Sequence, residues 1–293
     1  MTMPSTRLWT GEDLSDAEFT AISELLRDRR HFDLGQYKDR CIRRRIAKRL
    51  RFCQVTNFTA YMKHLEMDSD ELDTLLATIS IHVSQFFRNP DTFRILEQII
   101  LPDLCRRARA AGRNQLTLWS AGCASGEEPY SLALLVDDMA VNDLDICILA
   151  TDISEPVLET ARNGVFDALR LKEVPAAVID KYFRIVNGNY QLIEHIRDKV
   201  AFRRHNIMTA SDFPRADLVL CRNVLIYFTR AEQDRILARF IEALPEDGAL
   251  VLGRSETMPD NSRDHFRSEF PVERIYRRTP KQVASPVFTS PAP

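Results

Sequence analysis

A chain of 293 residues with 45% hydrophobic and 28% charged residues has the composition of a water-soluble globular protein, with room for one larger and one smaller domain. Its 40 basic and 42 acidic residues leave a net charge of -2, which argues against a protein that coats nucleic acid, and no run reaches the roughly 18 apolar residues of a membrane span. Cys41, Cys53, Cys105, Cys123, Cys147 and Cys221 form no CxxC pair, so free thiols are expected rather than a zinc cage or a disulfide framework, and no metal is predicted.

The N-terminus lacks the basic start and apolar stretch of a secretory signal, and a cytoplasmic protein is expected. From about Leu14 to Leu76 the apolar residues recur with helical periodicity, as at Ile42, Ile46 and Leu50, and a helical domain is predicted over 12–85. Within it, Tyr37 to Arg51 carries Lys38, Arg40, Arg43, Arg44, Arg45, Lys48, Arg49 and Arg51 against Asp39 alone. One face of that helix packs and the other is strongly positive. Such a run is ordinarily a solvated face, and next most often a nucleic-acid contact, although only Tyr37 and Phe52 flank it as stacking aromatics.

From Leu116 the pattern changes to short apolar runs, LTLWSAG, ICILATDI, VAFRRHNI, ADLVLCRNVLIY and GALVLGRS, separated by predicted helices at Glu127 to Met139, Glu155 to Asn163 and Arg230 to Leu244. Thr229 is the candidate N-cap of the last. This alternation predicts an α/β fold, a helical N-terminal domain followed by a doubly wound, mainly parallel sheet over 86–279 with its ligand site at the strand C-termini. Residues 171–199 interrupt it with a helix and a hairpin turning at Asn187-Gly188-Asn189, and a small inserted β-subdomain is expected there. The proline-rich segment 280–293 is predicted to be disordered.

The segment Gly122 to Gly126 has the strand, glycine turn and helix start of an anion site. Its chemistry points elsewhere. Neither GK[ST] nor GxGxxG is present, and Glu127 and Glu128, where they do more than cap a helix, would repel a pyrophosphate. They suit a ligand with cationic groups, hydroxyl donors and no phosphate, which describes S-adenosylmethionine. Asp152 ends the next predicted strand, where it would face a nucleoside.

Five segments in order, HVSQFFRNPDTF, WSAGCASGEEPYSLA, ATDIS, VAFRRHNI and LCRNVLIYF, make the chain resemble the CheR-type chemotaxis receptor methyltransferases, from YKDRCIRRRIAKRL to the GRSE segment near residue 255. The resemblance implies an S-adenosylmethionine methyltransferase fold and esterification of glutamate side chains in chemoreceptors. Carried over by position, it places cofactor contacts at His82, Ser84, Arg88, Glu128, Asp152, Asn206, Ile207, Arg222 and Asn223. His82 stands where the family usually has asparagine, and Ser84 where it has threonine. An imidazole lacks the paired donor and acceptor of an amide.

Esterifying an ionised carboxylate needs no general base, so positioning and desolvation are expected to carry catalysis, with Arg88 steering the acceptor and Tyr227 adding a hydroxyl donor. The resemblance also directs the basic face of Arg40, Arg43, Arg44, Lys48 and Arg51 toward the helical bundle of a chemoreceptor. A single glycine in RIVNGNYQLIEHI predicts recognition without a receptor C-terminal pentapeptide tether. A monomer without membrane insertion is expected. Two readings stand beside this one: a non-catalytic partner-binding module on the same fold, and a nucleic-acid methyltransferase, which the absence of an NPPY-like turn after Arg222-Asn223 opposes.

Overall fold

The computed structural model describes residues 14–30, 32–79 and 84–280. His82 and all but Pro280 of the expected disordered tail lie outside them. Among the described residues no helix is long and apolar enough to cross a membrane.

Four helices, α1 (Asp16–Arg30), α2 (Asp39–Phe52), α3 (Phe58–Met67) and α4 (Ser69–Ile79), make the N-terminal domain. Ile22, Leu26, Ile42, Ile46, Leu50, Tyr61 and Leu75 form its core, so the apolar stripe of the basic helix is the packed face. At its centre the buried Glu71 accepts from Arg49 Nε (2.9 Å) and from Tyr61 Oη (2.8 Å), tying three helices together. A carboxylate this enclosed stays charged because the guanidinium and phenol satisfy it.

After α5 (Pro90–Ile95), a single π turn over Leu96–Ile100 and α6 (Leu101–Ala110), the chain enters the sheet. Its parallel strands are β1 (Gln115–Ala121), β2 (Asp145–Asp152), β6 (Val200–Arg204), β7 (Leu218–Cys221) and β8 (Ala249–Leu252). The order is β6-β2-β1-β7-β8, extended by two antiparallel strands, β10 (Ile275–Arg278) and then β9 (Phe266–Phe270) at the edge. These last two were not expected, because two charged residues interrupt each of FRSEF and IYRR. The helices α7 (Glu127–Asp138), α8 (Glu155–Asn163) and α9 (Arg230–Ala243) fall where periodicity puts them. Thr229 is the N-cap of α9, but its hydroxyl makes no cap bond.

Two apolar cores fill opposite faces of the sheet, one including Leu118, Leu132, Ile148 and Leu218, the other Trp119, Val219, Phe240 and Leu250. The small sheet pairs β4 (Phe183–Val186) and β5 (Asn189–Leu192) with a two-residue β3 (Val165–Phe166). It therefore begins at Val165, ahead of the expected Leu171. Asn187 and Gly188 both have positive φ, 51° and 77°, the conformation of a tight hairpin turn.

Candidate active site

The C-terminal ends of β1, β2 and β7 open on one crevice with two lobes, which share Gly122, Asn223, Val224 and Tyr227. Gly122 and Cys123 both donate to Thr151 O (2.7 and 2.9 Å), binding the glycine loop to the end of β2. Asp152 completes the junction: one carboxylate oxygen accepts from Ala124 N and the other from Ser154 N, each at 3.0 Å. At Gly122 φ is +78°, and a Cβ there would stand 2.6 Å from Val224 Cγ2. The loop thus passes its neighbour at a distance only glycine allows.

The structure separates the two adjacent glutamates. Glu127 is fully buried and takes Ser125 Oγ at 2.9 and 3.0 Å together with Arg170, so it braces the loop from behind. Glu128 faces the crevice. One of its oxygens accepts from Ser120 Oγ (2.8 Å) and the other from Arg222 Nη1 (3.2 Å).

Arg222, with only 2% of its side chain exposed, is the brace of this ionic lobe. Its Nη2 donates to Arg88 O (2.6 Å) and Asn89 Oδ1 (2.9 Å), which fixes the turn carrying Arg88. Burial pushes the Arg222 guanidinium below its usual pKa, and Glu128 opposes that shift. Ser84 and Arg88 line the same lobe.

Asp152, Asn206 and Ile207 line the other lobe, which is mainly apolar. Asn206 Oδ1 accepts from Met208 N (2.9 Å), turning the chain after β6, so the strand stops at Arg204 and does not run to Ile207 as expected. The wall opposite comes from the helical domain: Tyr37, Ile42, Arg45 and Ile79. A bridge between Tyr37 and Phe228 joins the two domains, flanked by Lys38 N to Tyr227 O (2.8 Å) and Thr229 N to Gln36 O (3.1 Å). Arg45 donates to Ile79 O and lies 5.2 Å over the Tyr227 ring. Burial, then the nearby Asp152 charge, holds the Tyr37 phenol well above its ordinary pKa.

Glu256 was not singled out by sequence. It is buried, and it accepts from the backbone amides of Asn223 (2.9 Å), Val224 (2.9 Å), Ile226 (3.3 Å) and Gly253 (2.5 Å). These bonds hold Asn223 at φ 60° and turn Val224 and Tyr227 into the crevice. Burial raises the Glu256 pKa against the pull of those amides. The available signal was the acid of GRSE, just beyond the last parallel strand.

The basic helix is less uniform than its sequence. Arg44, Lys48 and Arg51 are exposed, whereas Arg43 is turned inward, bonded to Asp39 (2.6 Å), Asp16 (2.8 Å) and Leu14 O (2.7 Å). The expectation that Arg43 belongs to an outward face is corrected: it locks α2 to the start of α1. The Arg40 side chain lies outside the described residues.

Residues 82–273 match the family described as CheR methyltransferase, SAM binding domain, and residues 17–80 match CheR methyltransferase, all-alpha domain. A chemotaxis protein methyltransferase of Listeria monocytogenes is 36% identical over 224 residues, 76% of this chain and 84% of that protein. One from Borreliella burgdorferi is 31% identical over 258 residues, 85% of this chain and 91% of that protein. An uncharacterized 104.1 kDa protein of Rhodobacter capsulatus is 38% identical over 225 residues, 76% of this chain but only 23% of its own length. With both domains matched in order and the glycine loop, Glu128 and Asp152 gathered at one crevice, this chain belongs to the CheR methyltransferase family.

Proposed function

We propose that the protein transfers a methyl group from S-adenosylmethionine to glutamate side chains in the helical bundle of chemoreceptors, forming methyl esters. The observation that carries this reading is the two-lobed crevice: an apolar lobe beside Asp152, and an ionic lobe built on Glu128, with Gly122 between them. The residues present fit the cofactor. Neither lobe offers a phosphate cradle, the apolar lobe suits a nucleoside, and Glu128 suits an ammonium group. Among the described residues, Asn223 Oδ1 is a buried acceptor without a protein partner, next to the junction of the lobes.

In this reading Asp152, Asn206 and Ile207 hold the nucleoside, while Ser84, Arg88 and Glu128 hold the amino-acid part. The cofactor supplies an electrophilic methyl group on a sulfonium. The acceptor carboxylate, with an ordinary pKa of about 4.3, is already ionised near neutral pH. Arg222 and Glu256 keep the walls in place, and Arg88 guides the carboxylate toward the junction by a planar charged hydrogen bond. Tyr227 lines both lobes, and its hydroxyl orients the acceptor there. Transfer then depends on alignment and on exclusion of water.

The exposed Arg44, Lys48 and Arg51 suit an acidic helical partner. The short hairpin with its two-residue turn supports recognition without a tether, so a receptor C-terminal pentapeptide is expected not to bind. The deciding experiment combines calorimetric titration with S-adenosylhomocysteine and transfer of labelled methyl from S-adenosylmethionine to a receptor fragment. Alkali-labile label on glutamate is expected; alkali-stable label, or none despite cofactor binding, would sink the assignment.

A further inference from the structure

The turn Leu225–Tyr227 borders more than the crevice. Val224 and Tyr227 line the crevice, whereas Leu225 and Ile226 line a separate cleft of about 190 Å³ together with Lys38, Arg230, Ser255 and Thr257. All four of these side chains are at exposed positions. Among the described residues, the Lys38 ammonium and the hydroxyls of Ser255 and Thr257 have no hydrogen-bond or ion-pair partner, and Arg230 has only a 3.4 Å contact with Gln233 Oε1. Glu256 is the acid bordering this cleft, and its two oxygens are already engaged by four backbone amides. Two cations and two hydroxyls therefore converge with no protein carboxylate taking them up.

Lys38 is held in register with the crevice, since its own amide donates to Tyr227 O at 2.8 Å. A three-residue 3₁₀ turn rises about 6 Å. Side chains three or four residues apart on a helix stand roughly 5–6 Å from each other, and the crevice and the cleft open on either side of this one turn. A helix whose acceptor glutamate enters the crevice at Tyr227 would carry its neighbour one turn away to the cleft.

We propose that this cleft is a carboxylate subsite, which seats an acidic side chain three or four residues from the methyl acceptor in the protein substrate. The inference rests on the assignment of a helical, glutamate-bearing acceptor. It adds a determinant of which glutamate is chosen: the one with an acidic neighbour one helical turn away, on the side the cleft dictates.

The test uses the full chain saturated with S-adenosylhomocysteine and fluorescent stapled helical peptides that present one acceptor glutamate with either Glu or Gln at +4 or -4. Binding is read by anisotropy, and methyl transfer from S-adenosylmethionine is followed in parallel. The Lys38→Ala/Arg230→Ala variant is expected to bind one flanking-Glu peptide about tenfold more weakly than wild type does, to bind the flanking-Gln peptides equally, and to keep its affinity for S-adenosylhomocysteine. Equal losses for Glu and Gln peptides, or none, would overturn the subsite, as would displacement of both peptides alike by low millimolar phosphate, which marks a site for free anions. If the flanking residue is discriminated but no peptide is methylated by wild type, the cleft does take an acidic side chain, while the acceptor assignment falls and with it the cleft's role in choosing the methylated glutamate.

Discussion

The two lobes of the crevice are built on different principles. The apolar lobe is assembled from two domains, Tyr37, Ile42 and Ile79 on one side and Ile153, Ile207 and Phe228 on the other, so its shape depends on how the domains dock. The ionic lobe draws on a few polar bonds that converge on Arg222. Apolar packing is spread over many contacts and degrades gradually, whereas a buried ionic brace fails when one partner is removed. Substitutions in the two lobes should therefore differ in size and in kind.

The largest effect is expected at Arg222→Met. It leaves the mostly buried Glu128 with Ser120 as its remaining hydrogen-bond donor among the described residues and releases the turn of Arg88. Breaking a buried pair in this way costs about 3–5 kcal/mol, measurable by urea unfolding, with loss of S-adenosylhomocysteine binding. A cost below about 1 kcal/mol would mean that the ionic lobe is not braced by this residue. Arg222→Lys should rescue little, because a single ammonium cannot span the carboxylate, the carbonyl and the amide.

Next in size is Gly122→Ala, at the wall between the lobes. The left-handed backbone alone costs about 1–2 kcal/mol, and the new Cβ must displace Val224. Cofactor affinity should fall at least about tenfold, or 1.4 kcal/mol. Gly188→Ala is the control: φ is similar, +77°, but a Cβ there meets nothing within 4 Å. It should lose stability and leave binding unchanged. If both variants bind equally well, the close approach of Gly122 to Val224 has no role in the site.

The same contrast decides what was legible in the sequence. The glycine loop, Glu128 just beyond it and Asp152 at the end of a predicted strand are local features, and the structure gathers them at one crevice. Glu127 and Glu128 are neighbours that local reasoning treats alike. Only the distant Arg170 and Arg222 send one behind the loop and the other to the crevice. Tyr37 reads as the flank of a basic run, since its bridge to Phe228 spans the two domains. Arg43 reads as surface because its partners near Leu14 and Asp16 lie about two dozen residues or more away in the chain. Strand β9 escapes notice because a sheet edge needs no continuous apolar run, and β10 because its buried Arg277, paired with Asp103 and Glu269, reads as a surface charge.

Tyr37→Leu sharpens the comparison from the apolar side. The substitution removes a ring that stacks 5.2 Å from Phe32 and lies tilted 4.9 Å from Phe228, while keeping an apolar side chain in the wall. S-adenosylhomocysteine binding should weaken by roughly fivefold, near 1 kcal/mol, with little change in kcat once the cofactor saturates. A fall in kcat at saturation would move Tyr37 from shaping the lobe to positioning the acceptor.

The smallest effect is a pH dependence that belongs to the apolar lobe. His205 lies in its wall, packed against Trp119 and Phe213, with Nε2 3.1 Å from Asp212 O. Burial holds its pKa below the ordinary 6.5, and Arg203 and Arg239 lower it further against the pull of Asp212. The unfolded chain therefore binds a proton at this residue more readily than the folded one. Stability from the neutral ring is complete above about pH 6.5 and declines as pH falls through the lower folded value. In His205→Phe this contribution is absent, so the wild-type advantage in urea unfolding should narrow between pH 7.5 and 5. An advantage that stays constant across that range would show that the imidazole takes up a proton as easily inside the lobe as in water, and that the wall is wetter than its apolar lining implies.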